Sequence, residues 1–306
     1  MEYEVFEKKV LSSDGIHRLA GKVYLPKGEP VGYFHAVHGM TEHIGRYDKL
    51  LREMASEGYL AFGYDNLGHG NTVNDETEFG YIAPKDGWKL LCQDVGVFAK
   101  AVREEYPYEI PYVLFGHSMG SFIVRLAAAL FEKPDKLIVM GTGGPNPASG
   151  AGNAICSVLK KIHGEKSYSP FLEKMAFGAY NKRFAEEKDI YAWLTKDLEI
   201  RKTYGLDPFC TFHFTVSALK DLVTLNTMSN SKKCFDQTDR EMPILLLSGQ
   251  YDPVGNDGKG VAKVYKELKD RGANVEMIIY ENCRHEILND DSYPRVVEAI
   301  KEFCAK

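Results

Sequence analysis

The chain has 306 residues, 44% of them apolar and 26% charged, with a formal net charge of −5. That balance excludes an intrinsically disordered chain, and a mildly acidic sequence without a long basic run excludes phosphate-backbone binding, so no nucleic-acid partner is expected. A chain this long folds to a surface of about 13,000 Å² and buries a sizeable core without staples.

Two short alternating runs, Tyr3–Leu11 and Leu19–Leu25, flank the turn signal Ser13-Asp14-Gly15 and read as a hairpin. Strands then alternate with helices. Tyr33–Val37 and Leu60–Tyr64 are short apolar runs on either side of a helical segment at Tyr47–Glu57. In the next helix, Trp88, Leu91, Val95, Phe98 and Val102 recur at steps of three and four, with Asp86 in the capping position. Tyr112–Phe115 is a strand followed directly by a helix over Met119–Phe131, and Leu137–Met140 is another strand. Ile244–Leu247 and Val275–Tyr280 complete the series, separated by a helix bearing Val261, Val264, Tyr265 and Leu268. A last helix carries Val296, Val297, Ile300 and Phe303. Continuous apolar strands between amphipathic helices predict an α/β fold, a mostly parallel sheet covered on both faces.

One stretch interrupts the pattern. From 147 to 242 there is no strand signal, yet Phe171, Met175, Phe177, Trp193, Phe209 and Phe212 make it too apolar for a structureless loop. The expected division is a core of 1–146 and 243–306, with 147–242 a mainly helical cap lying over one edge of the sheet.

Gly116-His117-Ser118-Met119-Gly120 is a G-x-S-x-G string set between a strand and a helix, the context in which a sharp turn lifts a serine hydroxyl above a sheet. Such a hydroxyl needs a base, and the base needs an orienting carboxylate. In chain order these partners follow the serine at later strand ends. Of nine histidines only His285 lies beyond the last strand, so it is the candidate base. Asp252 sits just past Ile244–Leu247, between Gly249 and Pro253. Its rival Asp257 lies nearer the following helix and reads more naturally as a cap or turn residue. The amide of Met119 opens the helix, and that of Met40, in the loop His38–His43, faces the same spot; both are candidate donors to a developing oxyanion. His38 and His43 read as organisers of their loop, and no metal or other cofactor is expected.

Taken in order, His38-Gly39-Met40-Thr41-Glu42-His43 with Gly45-Arg46-Tyr47, Leu67-Gly68-His69-Gly70, the Ser118 pentapeptide, Tyr251-Asp252-Pro253 and Arg284-His285-Glu286 resemble the monoacylglycerol lipase and lysophospholipase branch of the α/β-hydrolase superfamily, also grouped with serine aminopeptidases. The resemblance implies a triad of Ser118, Asp252 and His285, oxyanion donors at Met40 and Met119, and a helical cap. It implies a serine esterase acting on a small ester or fatty acyl lipid, such as a monoacylglycerol or lysophospholipid. A small-ester carboxylesterase, a thioesterase, an aminopeptidase or a non-catalytic homologue are the alternatives.

Six dispersed cysteines without a C-x-x-C read as reduced thiols. The first residues carry no leader pattern and no apolar run is long enough to span a bilayer, so a cytoplasmic location is expected. Apolar cap residues leave room for transient contact with a membrane surface, although no basic amphipathic helix demands it. Oligomeric state is not legible.

Overall fold

Among the described residues eight strands form one sheet: β1 (Tyr3–Leu11), β2 (Arg18–Pro26), β3 (Gly32–Val37), β4 (Tyr59–Tyr64), β5 (Tyr112–His117), β6 (Lys136–Met140), β7 (Ile244–Gly249) and β8 (Val275–Tyr280). A computed structural model describes residues 2–306. The strand order is β1-β2-β4-β3-β5-β6-β7-β8; β1 and β2 run antiparallel to their neighbours and the other strands are mutually parallel. The solvent-accessible surface of 13672 Å² matches the value expected for a single folded body of this length.

Side-chain alternation splits the core in two. Tyr112 and Leu114 of β5 face one side, where they meet Leu91, Val95 and Phe98 of α2 (Gly87–Glu105) and Ile123 and Leu126 of α3 (Met119–Leu130). Val113 and Phe115 face the other, where Leu50, Leu51 and Met54 of α1 (Asp48–Ser56) and Val296, Ile300 and Phe303 of the C-terminal helix, Tyr293–Ala305, cover the sheet. β3 and β4 exchange places relative to chain order, so β3 pairs with both β4 and β5. Connections leave β3 and β5 in opposite directions, and a crevice opens at their carboxyl ends, where open α/β sheets bind ligands.

The segment between β6 and β7 holds α4 (Ser149–His163), α5 (Pro170–Phe177), α6 (Leu198–Leu206), α7 (Val216–Ser229) and α8 (Lys232–Gln237), and no strand among the described residues. Its main packing is on α2 and α3 rather than over an edge strand. Ala218, Leu219 and Leu225 of α7 and Cys234 and Phe235 of α8 belong to the same apolar cluster as α2 and α3, whereas Leu194, Tyr204 and Cys210 form a small cluster of their own. The inserted segment is thus partly continuous with the core.

Asp86 does not cap α2. Its backbone is left-handed (φ 54°, ψ 34°) and its side chain makes no capping bond. The carboxylate of Asp221, from α7, lies at this helix start instead, 2.5 Å from where a Cβ on Gly87 would sit; burial pushes its pKa up to about 6. Among the described residues no helix is long and apolar enough to cross a membrane, and the six cysteines are buried free thiols.

Phe98 is fully buried, with its ring stacked on Tyr64 at 4.8 Å and on Phe62 at 6.2 Å. Phe98→Ala should lower stability by about 3–5 kcal/mol, because the stacked rings cannot close the cavity; a denaturant titration showing under about 1 kcal/mol would mean the site collapses freely.

Candidate active site

The carboxyl ends of the parallel strands carry every residue expected at the site. Ser118 follows β5 directly and precedes α3, with φ 54° and ψ −120°. A non-glycine residue holds such angles only when its surroundings enforce them. The flanking glycines make this compatible with packing. A Cβ on Gly116 would lie 2.4 Å from the Gly120 carbonyl oxygen, and one on Gly120 would lie 2.2 Å from that of Val37. The turn can therefore press against β3, and the loop after β3 passes close enough that a Cβ on Gly39 would fall 2.9 Å from Ser118 Cβ. Met40, from that loop, and Met119 line the same cavity as Ser118 and His285.

His285 is 2% exposed and its Nδ1 lies 2.9 Å from Asp252 Oδ1; Asp252 is fully buried. The Val254 amide donates to the same carboxylate oxygen at 2.8 Å. With Nδ1–H donated to Asp252, Nε2 is left with a lone pair, and it is buried without a hydrogen-bond partner. Burial pulls the imidazole pKa down, but the charge and hydrogen bond of Asp252, with Glu286 and Glu42 nearby, outweigh this and raise it above 6.5. Asp257, the rival acid, has its carboxylate on Arg183 at 2.7 Å, near the surface.

Beneath these groups lies a buried charge network. Arg46 forks onto Glu286 at 2.6 and 2.8 Å and also donates to Glu42 at 2.8 Å. Glu42 accepts from the Gly39 amide at 2.5 Å and the Tyr47 hydroxyl at 2.8 Å. His117 Nδ1 lies 2.7 Å from that hydroxyl, and its Nε2 lies 3.4 Å from the His285 carbonyl oxygen. Burial alone would raise the Glu42 pKa; the bond to His117 and the charge of Arg46 hold it far below the usual carboxylate range.

His38 braces its loop: Nδ1 donates to the Gly39 carbonyl at 2.8 Å and Nε2 accepts from the Asn66 amide at 2.9 Å. Burial drives it to about 4, so it is neutral. His43 Nε2 meets Asp207 Oδ2 at 3.0 Å, and with Cys210 these form a trio whose donor atoms lie within 4.8 Å of one another. Burial pushes the Cys210 thiol well up, which keeps it a weak ligand, and the carboxylate is already engaged.

Sequence reasoning missed the part played by the inserted segment. The Trp193 ring lies 5.0 Å from that of His285, and its carbonyl accepts from the His285 amide at 3.4 Å. The Leu194 carbonyl takes the Glu286 amide at 2.7 Å, and Arg284 donates to the Ala192 carbonyl. No spacing rule announces such contacts. The aromatic content of 147–242 was the single available signal.

The family model described as serine aminopeptidase, S33, matches residues 28–292. The chain belongs to this family of α/β-hydrolases. Among its relatives, the monoglyceride lipase of Rattus norvegicus is 26% identical over 287 residues, 90% of this chain and 82% of that protein. The monoacylglycerol lipase of Mycolicibacterium smegmatis is 24% identical over 94% of this chain and 92% of its own. Among solved structures, a thermostable carboxyl esterase from Bacillus coagulans, in complex with glycerol, superposes with a TM-score of 0.91 at 30% identity, covering 98% of this chain and 97% of that one.

Replacing Arg46 by Ala strands two buried carboxylates and should cost about 3–5 kcal/mol. Arg46→Lys should recover only part of this, because an ammonium cannot reproduce the fork on Glu286; thermal unfolding of both variants reads the difference, and a near-neutral Arg46→Ala would remove the network from its structural role.

Proposed function

We propose that the chain is a serine hydrolase that cleaves carboxylic esters through an acyl-enzyme on Ser118. The observation that carries this reading is the His285 imidazole, bonded through Nδ1 to buried Asp252 while its bare Nε2 borders the cavity that holds Ser118. Nε2 takes the proton as Ser118 Oγ attacks the ester carbonyl, and Asp252 stabilises the imidazolium. The amides of Met40 and Met119 receive the oxyanion. Collapse expels the alcohol with the proton from His285, and water, deprotonated by the same nitrogen, then releases the acid.

The cavity beside Ser118 has a volume of about 210 Å³ and includes Phe122, Phe177, Leu222, Val223 and Val254 in its lining. An apolar wall supports a fatty acyl substrate, and the names of the relatives point to monoacylglycerols or related lipids. An aminopeptidase reading needs a free carboxylate for a substrate ammonium. Glu42 and Glu286 line the cavity, but both are paired with Arg46. We take 147–242 as the cap over a core of 1–146 and 243–306. Ile162, Phe171, Met175, Ile190 and Leu206 of this segment are each roughly half exposed or more, which supports transient docking of the cap on a lipid surface.

Ser118→Ala should abolish turnover of p-nitrophenyl butyrate and labelling by a fluorophosphonate probe without loss of fold. Asp252→Asn should lower turnover by about 10⁴, the scale set by a wrong imidazole tautomer in serine proteases. Retained labelling in the first variant, or retained activity in either, would reassign the roles; an unlabelled wild type would favour a binding protein on the same fold.

Only neutral His285 can accept the proton, and its pKa is raised. The acid limb of kcat/KM should therefore have its midpoint above pH 6.5, with activity rising as pH increases through it. A midpoint at or below 6.5 would contradict the pairing with Asp252.

Across p-nitrophenyl esters from acetate to laurate, kcat/KM should rise over several carbons, and Phe171→Ser should slow hydrolysis of vesicle-borne monoacylglycerol more than that of soluble butyrate. A flat or falling series would remove the lipid substrate; equal effects in both assays would remove the docking.

A further inference from the structure

The inserted segment touches the loop after β3 at Thr41, between Met40 and Glu42. Thr41 has φ 49°, a left-handed conformation that a β-branched residue adopts only under constraint. Hydrogen bonds supply the constraint. The Thr41 amide donates to Nε2 of buried His69 at 3.3 Å, while His69 Nδ1 is committed to the Leu67 carbonyl at 2.9 Å. The Thr41 carbonyl accepts from the Tyr204 hydroxyl at 2.7 Å, and the Thr41 hydroxyl lies 3.0 Å from the same phenol oxygen. A phenol has one proton; with it on the carbonyl, the threonine hydroxyl must donate the second bond. Tyr204 therefore grips both the main chain and the side chain of one residue.

Tyr204 belongs to α6 and is itself well held. It is 7% exposed, its ring meets Tyr191 at 5.1 Å, and the Arg46 guanidinium lies 4.8 Å from its centre. The Met40 amide precedes Thr41 by one residue, so the bonds that fix Thr41 restrict the short stretch of chain that carries it.

We propose that Tyr204 is a positioning residue: by pinning Thr41 in its left-handed conformation it aims the Met40 amide at the reacting oxygen, so that oxyanion stabilisation depends on the inserted segment being seated. The proposal deepens the serine-hydrolase reading and rests on it. A residue that merely braced the fold would change stability or the folded fraction. One that aims an oxyanion donor changes the transition state more than substrate binding.

Tyr204→Phe keeps the ring, its packing and its contact with Arg46, and removes only the bonds to Thr41. With p-nitrophenyl butyrate, kcat should fall about tenfold or more while KM stays within twofold. Affinity for a trifluoromethyl ketone, whose adduct with the serine carries an oxyanion, should fall by the same factor, and the melting temperature should stay near that of the parent. In a Thr41→Gly background positive φ carries no steric cost, so Tyr204→Phe should cost less there than in the parent. Unchanged kcat, a loss expressed in KM or melting temperature, or an equal cost in both backgrounds would overturn the assignment. Fluorophosphonate labelling of the parent separates the two levels: an unlabelled parent sinks the hydrolase reading itself, whereas a labelled parent with an unimpaired Tyr204→Phe sinks only the role of Tyr204.

Discussion

One buried guanidinium joins two loops that lie 240 residues apart in sequence. Arg46 reaches Glu42 on the loop that carries Met40, and Glu286 on the loop that carries His285. Each carboxylate would be strongly unfavourable alone in this interior, and each is tolerable because the fork satisfies it. The geometry of the site follows from that bargain between desolvation and pairing. Glu42 fixes the Gly39 amide and thereby the approach of the β3 loop to Ser118, while Glu286 anchors the residue next to His285. His117 and Tyr47 fill the space between, so both loops are located relative to one rigid centre rather than to each other.

Local patterns in the sequence carried most of the core. The stripe from Trp88 to Val102, the aliphatic strands and the glycines around Ser118 all reflect short-range rules, and the fold obeys them. Strand order was not legible, because the exchange of β3 and β4 depends on non-local pairing that no short window encodes. Asp86 shows how a local rule loses to tertiary structure. It is a residue of good capping type in the right position, yet its backbone turns left-handed and a buried carboxylate from α7 sits at the helix start instead. Asp252 and His285 could be singled out from strand ends alone, and the structure brings them within hydrogen-bonding distance of each other. Trp193 and Tyr204 could not, because an aromatic residue that packs on one of these site loops looks in sequence like one that packs anywhere.

The inserted segment has two characters. Its second half, α7 and α8, shares the apolar cluster of α2 and α3 and behaves as core. Its first half carries the exposed apolar side chains and the small separate cluster around Tyr204, and joins the larger cluster through residues such as Cys156 of α4 and Leu172 of α5. Moving α7 would expose Leu219 and Leu225 and unseat the buried Asp221.

The backbone bonds from Trp193 and Leu194 to the His285 loop bear on how members of this family diverge. Because those bonds use main-chain carbonyls, they tolerate nearly any side chain at either position, so this stretch can drift in sequence while its grip persists. Tyr204 has no such latitude, for its grip is a phenol. A chimera that transplanted a foreign inserted segment without the matching β3 loop would keep the first handhold and lose the second, and recombination between relatives should respect that junction.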